Sequence, residues 1–150
     1  MPSIKQHLYA LCCEYVAQRI AEAMQAIADT QEAVNNETKS TAGDKYETSR
    51  EMMQQEINRD TGRLYELKKL EAALNLISPD QQSVVAQAGS IVRTDKGNFY
   101  LCISAGQLKA EGDTYQALSV ATPLGQKMLG RKAGETFDFN GRSYEVLEVC

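Results

Sequence analysis

The first third of the chain carries apolar residues at every third or fourth position, which is the spacing of an amphipathic α-helix. The apolar positions are Ile4, Leu8, Leu11, Tyr15, Val16, Ile20, Ala23, Ile27 and Val34. Polar residues fill the other faces, and neither glycine nor proline interrupts the pattern. The sequence therefore predicts one long helix over residues 4–34, with Pro2-Ser3 as its start signal.

A second helical pattern follows Gly43 and Asp44 and ends near Leu76. Its heptad positions are Met53, Ile57, Leu64, Leu67 and Leu74, with Asp60 and Glu71 as polar members. A helix with a single apolar stripe is marginally stable alone. The short connection favours an antiparallel coiled-coil hairpin over residues 1–77, with its tip at about residues 35–45. About 30 helical residues give a hairpin arm of roughly 45 Å.

The second half of the chain changes to a β pattern. Residues 78–88 are rich in serine, glutamine and proline and predict a linker. Five strands are then predicted, at "SIVRT", "FYLCIS", "TYQALSVA", "ETFDF" and "RSYEVLEV", with Asn140-Gly141 as a hairpin turn and "SAGQ" as a simple turn. "TPLGQKMLG" predicts one short helix that Thr122 caps and Gly130 stops. The expected fold class is α+β, with a small β-rich domain over residues 89–150.

Composition and charge narrow the function classes. The chain is 43% hydrophobic and 24% charged, with a net charge of −4. A mildly acidic chain gains nothing from counterion release, so strong binding to free nucleic acid is not expected. No apolar run approaches the roughly 18 residues of a membrane span, and no signal peptide opens the sequence. The expected location is the cytoplasm, with no membrane partner.

No self-contained active site is evident in the sequence. The only histidine, His7, has no serine, cysteine and acid arrangement around it, and no glycine-rich phosphate loop is present. The four cysteines, which lack C-x-x-C spacing, favour reduced thiols that pack as small apolar groups over a zinc site. The protein is therefore not expected to be an enzyme by itself, nor to hold a cofactor of its own.

The polar stretch between the helices, "NNETKSTAGDKYETSREMMQQE", is the remaining candidate for chemistry. Within residues 35–50 of this stretch, the acids Glu37, Asp44 and Glu47 lie among the basic residues Lys39, Lys45 and Arg50. Two carboxylates from either side of a loop can converge on Mg²⁺, which prefers oxygen ligands, although two alone bind it weakly. The alternative is a solvated turn in which Asp44 caps the second helix and Glu47 completes a capping pattern. The residues alone favour the turn.

The C-terminal stretch "SVATPLGQKMLGRKAGETFDFNGRSYEVLEV" resembles the bacterial transcript-cleavage (Gre) elongation factors. The family pattern is a strand, Ser-Pro-x-x-x-x-Leu-hydrophobic-Gly-Lys, a Gly-Asp/Glu turn and a closing hairpin. The positions that fit are Thr122-Pro123, Met128-Leu129-Gly130-Arg131-Lys132, Gly134-Glu135 and "YEVLEV". In the second helix, Tyr46, Arg50 and Glu51 fall in register with the family's helix start.

The resemblance implies a fold and a partner. The C-terminal domain would be FKBP-like and would dock on RNA polymerase, with the coiled coil in the secondary channel. The tip acids, here Glu37 and Asp44, would help to hold a Mg²⁺ ion and water beside the polymerase's own metal, so that backtracked RNA is cleaved near its 3′ end. The implied docking residues are Lys127, Met128, Leu129, Arg131 and Lys132, although Met128 and Leu129 also suit a core position. The protein is expected to be a monomer.

The tip departs from the family pattern. Ungapped alignment on Tyr46 places Lys39 and Ala42 where the cleavage-active family has two acids, so Glu37 and Asp44 are the nearest substitutes. Three alternatives therefore stay open. They are a Gre-like channel regulator without cleavage activity, a peptidyl-prolyl isomerase-like enzyme, and a plain coiled-coil adaptor.

Overall fold

Two long helices lead into a six-stranded mixed sheet with one short helix in the computed structural model, which describes residues 3–40 and 44–150. Side chains are described at residues 3–36 and 48–150. The chain divides into two compact units, Val16–Glu71 and the combination of Met1–Tyr15 with Ala72–Cys150. The predicted α+β layout, with long N-terminal helices and a C-terminal β region, is confirmed.

The first helix, α1, spans Ile4–Ser40, and the second, α2, spans Asp44–Asn75. At the start of α1, the Ser3 hydroxyl accepts a hydrogen bond from the Gln6 backbone N–H at 3.2 Å, and the Gln6 side chain accepts one from the Ser3 N–H at 2.9 Å. This reciprocal pair is a capping box. Helix α1 continues past the predicted end at residue 34. The predicted stripe ended there because "NNETKS" contains no apolar residue. The helix still runs through this segment because the segment contains neither glycine nor proline.

The unit Val16–Glu71 buries one stripe on each helix. Its most buried side chains are Val16, Ile20, Ala23, Thr30 and Leu67. Asp60 is half-buried, as its predicted place in the stripe requires, whereas Glu71 is exposed. The described residues of this unit belong only to α1 and α2, and on α2 most of the stripe is half-buried, with Leu67 its buried member before Glu71.

The β region contains strands β1 (Ile91–Thr94), β2 (Gly97–Leu101), β3 (Gly106–Ala110), β4 (Asp113–Leu118), β5 (Thr136–Phe139) and β6 (Arg142–Val149). The short helix α3 spans Pro123–Met128. The strand order is β3-β4-β2-β1-β6-β5, and the β2–β4 pair is parallel while the other pairs are antiparallel.

Strand β3 corrects the prediction of five strands with a simple turn at "SAGQ". It pairs with β4 through a tight turn in which Glu111 and Gly112 have φ values of 50° and 83°. The predicted Asn140-Gly141 turn between β5 and β6 has the same left-handed geometry, with φ values of 53° and 76°. A glutamate before glycine is a weaker signal for this turn than asparagine, so the sequence did not reveal the sixth strand.

The core of the β region draws on the sheet, on α3 and on the segment after α2. Its buried members are Ala86, Val92, Phe99, Leu101, Leu118, Met128, Phe137 and Val146. Ala86 comes from the predicted linker and is fixed by two backbone hydrogen bonds. Its N–H donates to the carbonyl of Arg131, and its carbonyl accepts from the N–H of Gly130, both at 2.8 Å. This part of the linker is therefore packed against the residues that follow α3.

Alanine substitutions at two glycines test opposite effects of an added Cβ, which are a steric clash at Gly125 and a gain in helix propensity at Gly62. A Cβ at Gly125 in α3 would lie 2.2 Å from the carbonyl oxygen of Ser119, whereas a Cβ at Gly62 in α2 meets nothing within 4 Å. We expect Gly125→Ala to lower the free energy of unfolding by about 1–3 kcal/mol, because backbone must move. Gly62→Ala should raise the free energy of unfolding by about 0.5–1 kcal/mol through helix propensity. Urea denaturation measures both, and a neutral Gly125→Ala would contradict the packing of α3.

The carboxylate of Asp95 predicts a pH effect. It accepts a hydrogen bond from the Glu145 backbone N–H at 2.9 Å and lies 3.3 Å from the Lys96 ammonium, and these two contacts lower the pKa of Asp95 below 3.8. A lowered folded pKa stabilises the protein above the unfolded value and loses that contribution as pH falls through the folded one. Asp95→Asn should therefore reduce stability at neutral pH.

The difference between Asp95→Asn and the unmodified protein should shrink as the pH drops below 3.8. Thermal denaturation across a pH series from neutral to strongly acidic measures it. Asp138→Asn, at an exposed position on β5, is the matched control and should show a small difference at every pH. An Asp95 difference that stays constant down to the lowest pH would contradict the role of the carboxylate charge.

Candidate functional site

The two predicted tip acids lie where α1 ends and α2 begins. Glu37 belongs to the last turn of α1 and Asp44 is the first residue of α2, so residues 41–43 separate the helices. The side chains of both acids lie outside the described residues. Glu37 therefore occupies a helix position rather than the polar tip loop that the sequence predicted, while Asp44 holds the helix-start position that was expected for it.

Helix α3 begins as its sequence predicts. The hydroxyl of Thr122 accepts a hydrogen bond from the Gly125 N–H at 3.1 Å and donates one to the Ser119 carbonyl at 2.7 Å. Pro123 occupies the first helical turn, where its missing N–H costs nothing. The Thr122-Pro123 pair therefore determines where α3 begins.

The five predicted docking residues separate into core and surface. Met128 is fully buried in the core, so its side chain is not exposed to a partner, and the core alternative is the one that the packing supports. Leu129, the next residue, is 42% exposed. The core alternative therefore holds for Met128 and not for Leu129, because consecutive residues at the end of a helix point in different directions.

The three basic docking candidates lie on the surface around the end of α3. Lys127 and Lys132 are exposed. Arg131 is half-buried, because its Nε donates to the Lys127 carbonyl at 2.9 Å and its guanidinium lies 5.8 Å from the centre of the Phe137 ring. Together with Leu129 they form a cationic surface around one apolar side chain, which we call the α3 surface (Lys127, Leu129, Arg131 and Lys132). Such a surface suits an acidic partner.

A groove of about 360 Å³ lies at the other end of α3, and no sequence pattern indicated it. Its lining residues are Ser104, Gly106, Gln116, Ala117, Leu118, Thr122, Pro123, Leu124 and Phe139. The groove depends on β3, which the sequence pattern did not predict. None of these lining side chains titrates, so the groove offers hydrogen bonds and apolar contact rather than acid–base catalysis.

Cysteine and tyrosine side chains cluster between the start of α1 and the end of β2. Cys12 is fully buried and Cys102 is 6% exposed, as expected for packing thiols. The neighbouring Cys102 is the largest influence that raises the pKa of Cys12, and Cys12 in turn lowers the pKa of Cys102. Burial is the largest influence that raises the pKa of the Tyr100 hydroxyl, which lies close to the same two thiols.

The described residues show neither a metal cluster nor a membrane-spanning helix. Among their side chains, no three histidine, cysteine, aspartate or glutamate groups are placed to hold a metal ion. No helix in the same part of the chain combines the length and apolar character needed to cross a membrane. Neither models of known protein families nor curated proteins match this chain.

Substitutions at Thr122 test how much the capping hydrogen bond of α3 contributes to the stability of the protein. Thr122→Ala removes the hydroxyl that holds the Gly125 N–H, and loss of such a cap lowers the free energy of unfolding by about 1 kcal/mol. Thr122→Ser is the matched control, because it keeps the hydroxyl. Urea denaturation should rank the unmodified protein and Thr122→Ser together above Thr122→Ala. Equal stability of all three would contradict the capping role.

Proposed function

We propose that this protein is a transcription elongation factor of the Gre type that binds RNA polymerase through its C-terminal domain. Its helices would enter the secondary channel and stimulate cleavage of backtracked RNA. The observation that carries the proposal is the order of the elements. Two uninterrupted helices precede a sheet domain in which Thr122-Pro123 opens α3 at the place where the Gre pattern has Ser-Pro.

The two helices have the lengths that the proposal needs. Helix α1 has 37 residues. Helix α2 has 32 residues. At a rise of about 1.5 Å per residue, each helix is roughly 50 Å long. Each also presents a stripe of buried and half-buried side chains with three- and four-residue spacing, which favours a two-stranded antiparallel coiled coil. A coiled coil presents a slim cross-section, so it can enter a channel that excludes a globular domain.

The docking function is assigned to the sheet domain, which we take to be FKBP-like. Support comes from the mixed sheet with one short helix packed on it and from the α3 surface. Lys127 and Lys132 are exposed there and Leu129 adds an apolar contact, so an acidic polymerase surface with an apolar pocket would be complementary. Met128 would act only by holding α3 in place.

The chemical role falls to Glu37 and Asp44. Their carboxylates are the hard oxygen donors that Mg²⁺ prefers, but two of them hold the ion weakly. The protein would therefore complete a site that the polymerase already supplies, rather than carry the ion alone. When bound there, Mg²⁺ activates water and neutralises charge that develops on the phosphodiester. The protein's own contribution is to place two acids next to the RNA 3′ end, which it would contact only in the complex.

A second candidate function is occupation of the channel without cleavage. It is favoured by Lys39 and Ala42 at the two places where the cleavage-active pattern has acids. Over residues 35–50 the acids Glu37, Asp44 and Glu47 are matched by an equal number of basic residues, so the tip carries no net negative charge. A tip of this kind would block or modulate the channel without holding a second metal.

Backtracked elongation complexes separate the two candidates. With cognate polymerase and Mg²⁺, we expect the protein to release short RNA fragments from the 3′ end. Glu37→Ala or Asp44→Ala should reduce the rate by at least about tenfold, because loss of a metal-holding carboxylate acts on the chemical step. Glu32→Ala, at an exposed position on α1, is the matched control and should cleave normally.

Binding of the tip variants is measured in parallel. Unchanged affinity with reduced cleavage supports the assigned role of the acids. Tight binding by the unmodified protein without any cleavage would replace the first candidate with the channel regulator. Absence of binding to the polymerase would reject both.

The α3 surface is tested separately by charge reversal. Lys127→Glu combined with Lys132→Glu should weaken polymerase binding by roughly tenfold at low salt, because rim charges steer association, and the loss should diminish as salt rises. Lys109→Glu, at an exposed position on β3, is the matched control. Equal affinity of the double variant and the control, measured by titration with labelled polymerase, would move docking to another surface.

A further inference from the structure

Strand β3 lies at one end of the sheet, and among the described residues β4 is the only strand that pairs with it. Ala110 and Asp113 flank the two-residue turn that joins the two strands. Residues that flank such a turn exchange backbone hydrogen bonds, and bonded positions then alternate along the antiparallel pair. Leu108 therefore directs its backbone groups toward β4, whereas Gln107 and Lys109 direct their N–H and C=O groups away from the sheet.

The side chains of β3 leave this outer edge accessible. Gln107 and Lys109 are exposed, while Leu108 and Ala110 are buried. Gly106, the first residue of the strand, also lines the groove of about 360 Å³ at the start of α3, and a Cβ there would meet nothing within 4 Å. The edge therefore offers two donors and two acceptors to solvent, with open space at its Gly106 end.

We propose that the outer edge of β3 binds an extended segment of a partner protein, which adds a seventh strand to the six-stranded sheet and places an acidic side chain opposite Lys109. In this mode of recognition, backbone hydrogen bonds provide affinity and alternate side chains provide specificity. Only an extended polypeptide presents N–H and C=O groups at the spacing of a strand edge, so the edge itself determines the chemical class of the partner. The edge is distinct from the α3 surface, and its role does not rest on the proposed function.

The exposed side chains of β3 lie on the same face of the sheet as the groove. Gln107 pairs with Gln116 on β4, and directly paired residues direct their side chains to the same face. Gln116 lines the groove together with the apolar residues Leu118 and Pro123. Alternate side chains of an added strand would therefore lie on the face of the groove, and the one nearest Gly106 would have an apolar surface beside it.

Lys109 determines the charge of the partner segment and disfavours a second copy of this chain. An acidic side chain opposite Lys109 is attracted to it, whereas like charges repel. If β3 of two copies paired antiparallel, both Lys109 side chains would lie on one face of the pair, because the same outward residues would be bonded in each copy. The Asp113 carboxylate at the nearby turn lies 3.9 Å from the Arg93 guanidinium, which partly compensates its charge. The favoured segment has an acidic side chain opposite Lys109 and an apolar one two residues nearer to Gly106.

Peptide selection followed by NMR tests the proposal on the full chain. Random decapeptides displayed on phage are selected against the immobilised protein, and the enriched peptide is then titrated into isotope-labelled protein. We expect enriched peptides with an acidic and an apolar residue two positions apart, and chemical-shift changes centred on the Gln107 and Lys109 amides. These two amides should also exchange with deuterium at least about tenfold more slowly in the complex, because each N–H gains an acceptor.

Three variants separate backbone pairing from charge. Lys109→Pro removes an outward N–H that β4 does not use, and edge strands tolerate proline, so the protein should fold and lose the peptide. Lys109→Glu should weaken peptide binding roughly fivefold at low salt, and the loss should diminish as salt rises. Lys127→Glu combined with Lys132→Glu, on the α3 surface, is the matched control and should bind the peptide normally. Circular dichroism checks that each variant is folded.

Three results would overturn the proposal. The first is a selection that enriches no peptide, and the second is an enriched peptide that leaves the Gln107 and Lys109 amides unchanged. The third is a dimer in sedimentation that Lys109→Pro dissociates, which would make a second copy the occupant of the edge. The first two are decided on the unmodified protein, so the test stands even if Lys109→Pro fails to fold. Polymerase binding is measured separately, so failure of the Gre-type function would not change these outcomes.

Discussion

The close approach of α3 to the backbone before it is the constraint on which the candidate docking domain depends. Gly125 can lie against Ser119 and Val120 only because it has no side chain, since a Cβ there would be 2.2 Å from the Ser119 carbonyl oxygen and 2.9 Å from the Val120 Cα. This approach lets Met128, one turn later, reach the core beneath the sheet. The same geometry leaves Leu129 and the neighbouring basic residues on the surface. The burial of Met128 and the exposure of the α3 surface therefore both follow from the close approach of Gly125 to the preceding backbone.

The sequence predicted the helices well because their evidence is periodic and long. The stripes on α1 and α2 repeat over many turns, so single exceptions such as exposed Glu71 or buried Thr30 do not obscure them. The Thr122 cap and the Asn140-Gly141 turn are local signals with a direct physical cause. The sequence pattern did not predict β3 because this strand depends on its pairing with another strand rather than on a local pattern. A short segment with only two buried side chains becomes a strand through pairing with β4.

The residues around α3 and the acids at the tip were predictable from the sequence to different extents. Basic residues around α3 can be placed on a surface from sequence, but the choice between core and interface at Met128 required the packing of the whole sheet. The groove at Pro123 was not predictable, since its walls come from strands that are distant in sequence. At the tip, the sequence supplies the residue types alone. Convergence of Glu37 and Asp44 depends on side-chain positions, which periodicity does not determine.

The start of α1 contributes both buried apolar side chains, which stabilise the sheet domain, and a buried cation, which is costly to desolvate. Leu8 and Cys12 are fully buried, whereas the buried Lys5 ammonium, whose pKa burial lowers, has the Gln81 carbonyl as its acceptor. Desolvating a cation is costly, so the apolar contacts around it must offset that cost. Because the sheet and the first turns of α1 belong to one compact unit, α1 is part of the sheet domain's own packing. A change at this junction therefore acts on the stability of that domain before it acts on any partner.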